Sequence, residues 1–236
     1  MSIKNTTIHV TGVEINVKRK RMKTLRLKIH ADTVCISAPL HVPNYTISIF
    51  AKNNMEWIKR NLKLAKEKQE EKESLLNTGN NIKLWGQDIT LVFNSAVVYS
   101  DFHIIKHDQL ILPADASATY NDKLAVLEDF YRLTLAQQIE NRLPIWEEIV
   151  GVKLTHWGIR KMKTRWGSCN IDRRRISLNL DLVRWPVPCL DYVIVHELVH
   201  LYETHHTRRF WELVASFMPT WQTYHTMLKN PDIPEL

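Results

Sequence analysis

The sequence has few cysteines and no long apolar run, and each absence excludes a class of protein. Its three cysteines, Cys35, Cys169 and Cys189, form neither a close pair nor an even set, which argues against a disulfide framework and a four-cysteine zinc site. The longest apolar runs are too short to span a bilayer. The opening MSIKNTTIHVTGVEINV also lacks the apolar core of a signal peptide. We therefore expect a cytoplasmic protein that does not enter a membrane.

Positive charge exceeds negative charge in this chain. The 236 residues contain 32 lysines and arginines against 25 aspartates and glutamates, a formal net charge of +7. This balance suits polyanionic partners such as nucleic acid, nucleotides or phosphate esters, and the alternative is a generally basic surface. Near the start, KRKRMK places five basic residues in six positions. It is either a polyanion-binding edge or the solvated rim of a hairpin.

Apolar periodicity predicts an α+β protein in two parts. TLRLKIH alternates apolar and polar residues as a half-buried strand does, and TVCISAP follows as its hairpin partner. A helix begins near Thr46 and continues into the charged stretch KLAKEKQEEKES, and further strands end at Pro113. We therefore expect a small, basic, antiparallel β region with a helix over residues 1–113, and a second part over residues 114–236.

The second part is predicted to be rich in helix. Apolar residues recur at helical spacing over roughly residues 121–149, and Pro144 is expected to end or kink that helix. Two strands follow, around TRWGSCN and RRISLNLDL. The stretch VPCLDYVIVHELVHLYE predicts a helix through the core, because an apolar run precedes its polar residues.

That core helix contains the pattern His196-Glu197-x-x-His200. Residues four apart lie about 40° apart around a helix, so both imidazoles point to one side and are able to hold one ion. Glu197 lies one step, about 100°, from His196, where a general base takes a proton from water. Burying three such side chains without a metal would be costly. The pattern predicts a hydrolytic zinc site with Glu197 as the catalytic base.

A hydrolytic zinc site needs a third protein ligand, and three residues are candidates. Glu203 lies on the metal-facing side of the helix but a full turn further on, and His205 would point to the opposite face. His206 reaches the metal only if the helix ends before it. ETHHT favours such an ending, because it contains weak helix formers and Thr207 is able to cap a new helix. Geometry favours His206 modestly.

The segments WGSCN, RRISLNLDLV, LDYVIVHELVHL and HHTRRFW resemble the YgjP-like metallopeptidase family. These are zincin-fold, metal-dependent hydrolases whose core is related to SprT-type proteases. The resemblance covers essentially the whole chain and implies a zincin-like helical and β metallopeptidase core over residues 114–236, with Glu197 as the base. One departure is His205, where the family often has Asn. The implied metal ligands are His196, His200 and His206.

The expected function is metal-dependent hydrolysis with zinc, or with nickel or manganese, since imidazoles suit several ions. Peptide hydrolysis is the first hypothesis, because this helix is most familiar in peptidases and the flanking strand is able to pair with an extended peptide. One alternative is a nucleoside triphosphate pyrophosphatase, a label attached to part of the family. Another is a protease associated with nucleic acid through its basic surface.

Candidate substrate-binding residues, for clamping an anion, are Arg165, Arg208 and Arg209.

Four further predictions concern the neighbours of this motif. Trp166 and Trp211 are expected in the core, Cys169 is expected as a small packed residue, and His225 is expected outside the site. Glu203 is a candidate for orienting a ligand imidazole, because metal-bound histidines usually donate their second N–H to a carboxylate or a carbonyl.

Overall fold

The computed structural model describes residues 4–30, 33–96, 105–106, 108–115 and 117–229. It has the expected α+β composition and divides the chain into two compact units, Met1–Ser74 and Leu75–Leu236. This division lies well before the boundary expected at residue 113. The physical reason is that the strands between residues 81 and 112 bury Leu91, Leu110 and Leu112 in the core of the second unit.

The first unit consists of two β-hairpins and two helices. Its hairpins pair β1 antiparallel with β2 and β3 antiparallel with β4, while β2 and β4 lie parallel in the middle of the sheet. The strand order is β1-β2-β4-β3. The elements are β1 (Lys4–Val10), β2 (Val13–Lys20), β3 (Arg26–His30), β4 (Thr33–Pro39), α1 (Asn44–Asn53) and α2 (Met55–Leu75).

One face of this first sheet is apolar and packs on the helices. Ile15 and Ile36 from the sheet are fully buried against Ile47 of α1 and Ile58 of α2. The alternation in TLRLKIH is confirmed, because Leu27 and its apolar neighbours pack on this core. The polar residues between them therefore lie on the opposite face.

A second sheet with the same strand arrangement opens the second unit. Its order is β5-β6-β8-β7, and its central pair, β6 and β8, is again parallel. This parallel central pair in each sheet differs from the antiparallel arrangement expected, because apolar alternation sets the buried face of a strand and not the direction of its neighbour. The strands are β5 (Asn81–Leu84), β6 (Gln87–Phe93), β7 (Ile105–Lys106) and β8 (Gln109–Leu112).

The turn between β5 and β6 contacts the segment that leads into the site. Trp85 and Gly86 both have positive φ, 51° and 82°, as a two-residue type I′ turn requires. Their amides donate to the carbonyls of Val183 and Arg184 at 2.8 and 3.2 Å. A side chain at Gly86 would meet Pro186, its Cβ lying 2.8 Å from Pro186 Cγ. The small sheet therefore supports the start of the next helix.

The remaining elements form the part of the second unit that contains the His-Glu-x-x-His pattern. β10 pairs antiparallel with β11, and β11 pairs parallel with β9, so β10 lies at an edge of this three-stranded sheet. A short 3-10 helix precedes the helix that contains the pattern. The elements are α3 (Tyr120–Val150), β9 (His156–Arg160), β10 (Gly167–Asn170), β11 (Arg175–Asn179), the 3-10 helix Leu180–Arg184, α4 (Val187–Val199), α5 (Arg208–Phe217) and α6 (Trp221–Lys229).

The long helix α3 fixes the position of α4. It continues through Pro144, where an end or a kink was expected, and stops at Gly151 in the left-handed conformation. Asp191 of α4 is buried and accepts hydrogen bonds from Arg142 Nη1 at 2.6 Å and Trp146 Nε1 at 2.8 Å, both on α3. This ion pair and the shared core join the two helices. Within the described ranges, no helix is both long and apolar enough to cross a membrane.

Candidate metal centre

The helix that contains the pattern ends before the third histidine, as expected, but it ends at Val199 rather than at the ETHHT stretch that was expected to stop it. α4 stops at Val199, and the amides of Tyr202 and Glu203 both donate to the carbonyl of Val199, at 2.9 and 3.0 Å. Thr207 then caps α5, as expected, with its hydroxyl accepting from the amide of Phe210 at 3.3 Å. The intervening turn brings His206 against α4.

Three imidazoles meet at this point. His206 Nε2 lies 2.9 Å from His196 Nε2, and one ring nitrogen from each of His196, His200 and His206 lies within 4.8 Å of the other two. His205 is exposed and does not join this group, because its Nδ1 contacts the hydroxyl of Thr204 instead. The structure thus brings together the three histidines that the family pattern implies as ligands.

The aromatic side chains of Phe210 and Trp211 pack against these imidazoles. Phe210 is fully buried, and its ring centroid lies 4.9, 4.7 and 4.8 Å from those of His196, His200 and His206. Trp211 stacks on His206 at 5.6 Å with an interplanar angle of 23°. Such contacts restrict the rotamers of the imidazoles and preorganise their nitrogens.

Hydrogen bonds to the second ring nitrogens orient two of the imidazoles. His200 Nδ1 lies 3.2 Å from the backbone carbonyl of Glu203. A carbonyl only accepts, so this contact places the proton on Nδ1 and leaves the lone pair of Nε2 of His200 able to bind a metal ion. Glu203 therefore orients the His200 imidazole through its backbone rather than its carboxylate. The hydroxyl of Tyr192 lies 3.5 Å from His196 Nδ1.

Tyr192 and His225 are residues of the site that sequence reasoning missed. The Tyr192 hydroxyl lies 2.8 Å from His225 Nδ1, and both side chains line the same cavity as the three histidines. Burial raises the pKa of Tyr192, so its hydroxyl stays protonated. Tyr192 precedes His196 by four residues, and this spacing on one helical face could have identified it. His225 lies on α6, and only tertiary packing brings it here.

Burial keeps two of these imidazoles, those of His196 and His200, in the neutral form. It lowers the pKa of His196 to about 3, with a further contribution from the neighbouring imidazoles of His200 and His206. Burial also lowers the pKa of His200. Neutral imidazole is the metal-binding form. At neutral pH these two rings are therefore ready to bind a cation without first losing a proton.

Glu197 lies beside the imidazoles with one carboxylate oxygen unpaired. Its side chain is buried, and Oε2 has no hydrogen-bond partner among the described residues. Burial raises the pKa of Glu197 to about 8, and the charge of Arg165 opposes part of that rise. Buried polar atoms are nearly always satisfied in proteins, so an orphaned oxygen here indicates a functional group. Neutral imidazoles and an adjacent carboxylate together fit a divalent metal centre.

The three histidines open into a cavity of about 710 Å³ whose wall includes strand β10. Gly167, at the start of β10, presses against Glu197, since an added Cβ would lie 2.8 Å from both Cγ and Cδ of that side chain.

Cys169 also lines the cavity, and burial raises the pKa of its thiol to about 11. Cys169 is therefore a neutral, packed thiol, in line with the sequence prediction. Trp166 is half-buried and lines the cavity too, while its Nε1 donates to the carbonyl of Leu228 at 3.0 Å.

The three candidate substrate-binding arginines do not act as one group. Arg165 lines the cavity. Arg208 lies on the exposed side of α5, where its Nε donates to Glu212 Oε1 at 2.7 Å, and Arg209 is exposed outside the cavity lining. Of the three arginines, Arg165 is therefore the one beside the histidines, because α5 turns Phe210 rather than its arginines toward them.

Comparison with known proteins gives the class and the family. The site and fold described above are those of a metal-dependent hydrolase. The family model described as YgjP-like, metallopeptidase domain, matches residues 23–231, and the chain belongs to this family. No curated protein matches the chain. The crystal structure of the metallopeptidase zymogen of Pyrococcus abyssi abylysin is similar at 22% identity and a TM-score of 0.35, covering 39% of this chain and 93% of that chain.

Tyr192→Phe tests whether the tyrosine hydroxyl orients His196. We expect this variant to weaken the binding of a divalent metal ion about tenfold, the usual effect of losing a group that orients a metal-binding imidazole. The measurement is competition for the ion with a chromogenic chelator. Tyr131→Phe is the matched control, because its hydroxyl donates to the carbonyl of Lys83 at 2.9 Å, away from the histidines. Equal losses in both variants would contradict the orienting role.

Gly167→Ala tests the contact between β10 and Glu197. The added methyl group has to displace the carboxylate, and we expect a loss of hydrolytic activity of about 100-fold with the metal content unchanged. Gly158→Ala in β9 is the control, because its nearest neighbours lie 4.0 Å from an added Cβ. Activity and metal content would be measured on both purified proteins. Unchanged activity in Gly167→Ala would show that the position of Glu197 does not matter.

Proposed function

We propose that this protein is a zinc-dependent metallopeptidase. Three histidines, His196, His200 and His206, would hold the ion, with nickel and manganese as the alternatives to zinc. Glu197 would be the general base. The observation that supports a peptide substrate is the edge strand β10, which lines the same cavity as these four residues.

The chemistry divides between the ion and the side chains around it. When bound, zinc supplies a Lewis acid that polarises a carbonyl and lowers the pKa of water. Glu197, with Oε2 unpaired in a buried position, would accept the proton of the attacking water and return it to the leaving amine. Burial strengthens this carboxylate as a base, while a nearby cation opposes the rise of its pKa. Gly167 keeps it in place from the side of β10.

The free edge of β10 offers backbone groups to an extended peptide. Asn179 donates its amide to the carbonyl of Trp166 at 2.8 Å, and Gly167 lies opposite Leu178 in the next position. Because hydrogen-bonded and non-bonded pairs alternate between antiparallel strands, the backbone groups of Gly167 and Cys169 are directed to the free edge. A substrate that adds a strand there would be held through its main chain.

The pyrophosphatase alternative receives less support from the described residues. Binding a triphosphate commonly uses several cationic side chains or a carboxylate-bound magnesium ion. Arg208 and Arg209 lie outside the cavity, and Arg165 and Lys229 are the cationic residues of its lining. One open strand edge and a single imidazole cluster suit a peptide bond better.

Paired variants of the ligand set and the base test this mechanism. We expect Glu197→Gln to keep its zinc and to lose peptidase activity by about 10²- to 10⁴-fold, because Gln preserves the shape but takes no proton. We expect His196→Ala to lose both zinc and activity. The measurements are cleavage of an internally quenched peptide library and metal content by mass spectrometry, after reloading stripped protein with zinc, nickel or manganese.

Full activity in Glu197→Gln would contradict the proposed base. A panel of nucleoside triphosphates is the parallel assay, with the same variant as its control. Pyrophosphate released by the wild-type protein and not by Glu197→Gln, together with no cleavage in the peptide library, would overturn the peptidase proposal in favour of nucleotide hydrolysis.

A series of singly N-methylated peptides tests binding along β10. Each methyl group removes one backbone donor, so a substrate paired with one strand edge should lose kcat/KM at alternate positions and retain it between them. We expect sensitive positions to lose about tenfold, the effect of one to two kcal/mol from a lost hydrogen bond. Equal sensitivity at neighbouring positions on both sides of the cleaved bond would rule out strand addition.

A further inference from the structure

The positive charge of the chain is concentrated in the first unit. Residues 1–74 contain 15 lysines and arginines against 7 aspartates and glutamates, a net charge of +8. Residues 75–236 contain the remaining 17 basic and 18 acidic residues, a net charge of −1. The unit that contains the histidine cluster therefore contributes nothing to the net positive charge. That charge comes from the first unit.

Four of these cations lie on the polar face of the first sheet. Lys18 and Lys20 are exposed on β2, and Arg26 and Lys28 are exposed on β3. Lys18, Arg26 and Lys28 each follow an apolar residue that packs on this core, such as Val17, so their side chains leave the sheet on the side away from the helices. Lys20 lies two residues after Lys18 on β2 and therefore on the same face. The cations form two short rows on strands that both neighbour β4.

The strand between the two rows has small side chains on this face. The pairing register places Ser37 of β4 opposite Lys18 on one side and Arg26 on the other. Cys35 lies in the same way opposite Lys28. Since neighbouring strands are about 4.8 Å apart, the two cationic rows stand about 10 Å apart with a low floor between them. We call this surface the cationic groove.

Carboxylates of the described residues do not pair with the cations of the groove. None of the four forms an ion pair with another described residue. Glu14, a carboxylate on the same face, lies at the far end of β2, 3.9 Å from His9. Two lysines of α2 differ from them, because Lys63 and Lys66 each lie 3.7 Å from a glutamate one turn further on. The charge of the groove is thus not neutralised by a described carboxylate.

Arg19 belongs to the KRKRMK stretch but not to the groove. Its guanidinium donates to the carbonyl of Val42 and, at 2.6 Å, to Asn44 Oδ1, where it holds the segment that enters α1. Lys18 and Lys20 of this stretch face outward on the groove, whereas Arg19 has a structural role.

We propose that the cationic groove binds a nucleic-acid strand through its phosphates. Charge complementarity identifies a polyanion, and the spacing of the cations in two parallel rows suits an extended chain of repeated charges. The described residues of this face include no large apolar side chain, because Leu40, Tyr45 and Trp57, which are exposed, lie outside the four strands. Insertion into a lipid surface and stacking of bases both require such side chains. Binding is therefore electrostatic and independent of base sequence, and it does not depend on the peptidase proposal.

The test is fluorescence anisotropy with labelled 20-nucleotide RNA and DNA of mixed sequence, using the full chain over a series of salt concentrations. Four phosphate contacts predict a slope of log K against log salt of about −3 for a single strand. In the double variant Lys18→Ala, Arg26→Ala the slope should become shallower by about 1.4, which corresponds to about 25-fold weaker binding at about 0.1 M salt.

The matched control is the double variant Lys63→Ala, Lys66→Ala, which removes the same charge from the solvated face of α2 in the same unit. It should bind like the wild-type protein. Equally weakened oligonucleotide binding in both double variants would overturn the proposal that the groove is the binding site, because net charge alone would then explain binding. Phosphatidylserine vesicles and polyglutamate are the other probes. Binding to either of these without binding to the oligonucleotides would assign the groove to another polyanion and overturn the proposal.

Discussion

The site depends on where α4 ends. His196 and His200 lie one helical turn apart and would face one side in any long helix, but a third imidazole joins them only because the helix stops at Val199. The turn that follows and the Thr207 cap of α5 bring His206 Nε2 to 2.9 Å from His196 Nε2. Without this ending, α4 would continue along its own axis and His206 would move away from the first two histidines.

Two further features of the fold stabilise the cluster of three histidines. Phe210, placed by the same cap, packs at nearly equal distances under all three imidazoles. Asp191, near the start of α4, is tied to α3 by Arg142 and Trp146. Burial then has two electrical consequences: it keeps His196 and His200 neutral and leaves Glu197 with an unpaired oxygen. A cation is the group that satisfies both conditions.

The two units differ in their chemistry. The second contains the histidine cluster, the edge strand and nearly balanced charge, whereas the first contains the excess of positive charge, part of it on a sheet face whose described residues include no large apolar side chain. Both units nevertheless begin with the same four-stranded arrangement, with a parallel pair between two hairpins. The shared framework buries one face in each case and leaves the chemistry to the residues outside the core.

Local patterns in the chain were enough to predict the α+β class, the His-Glu-x-x-His helix, an ending of that helix before His206 and the cap at Thr207, because each depends on neighbours a few residues apart. The other features follow from packing between distant elements. It assigned residues 81–112 to the second unit's core, brought His225 beside Tyr192, and turned Arg208 and Arg209 away from the cavity. Those outcomes depend on which helices and sheets pack together, and local periodicity contains no information about partners distant in sequence.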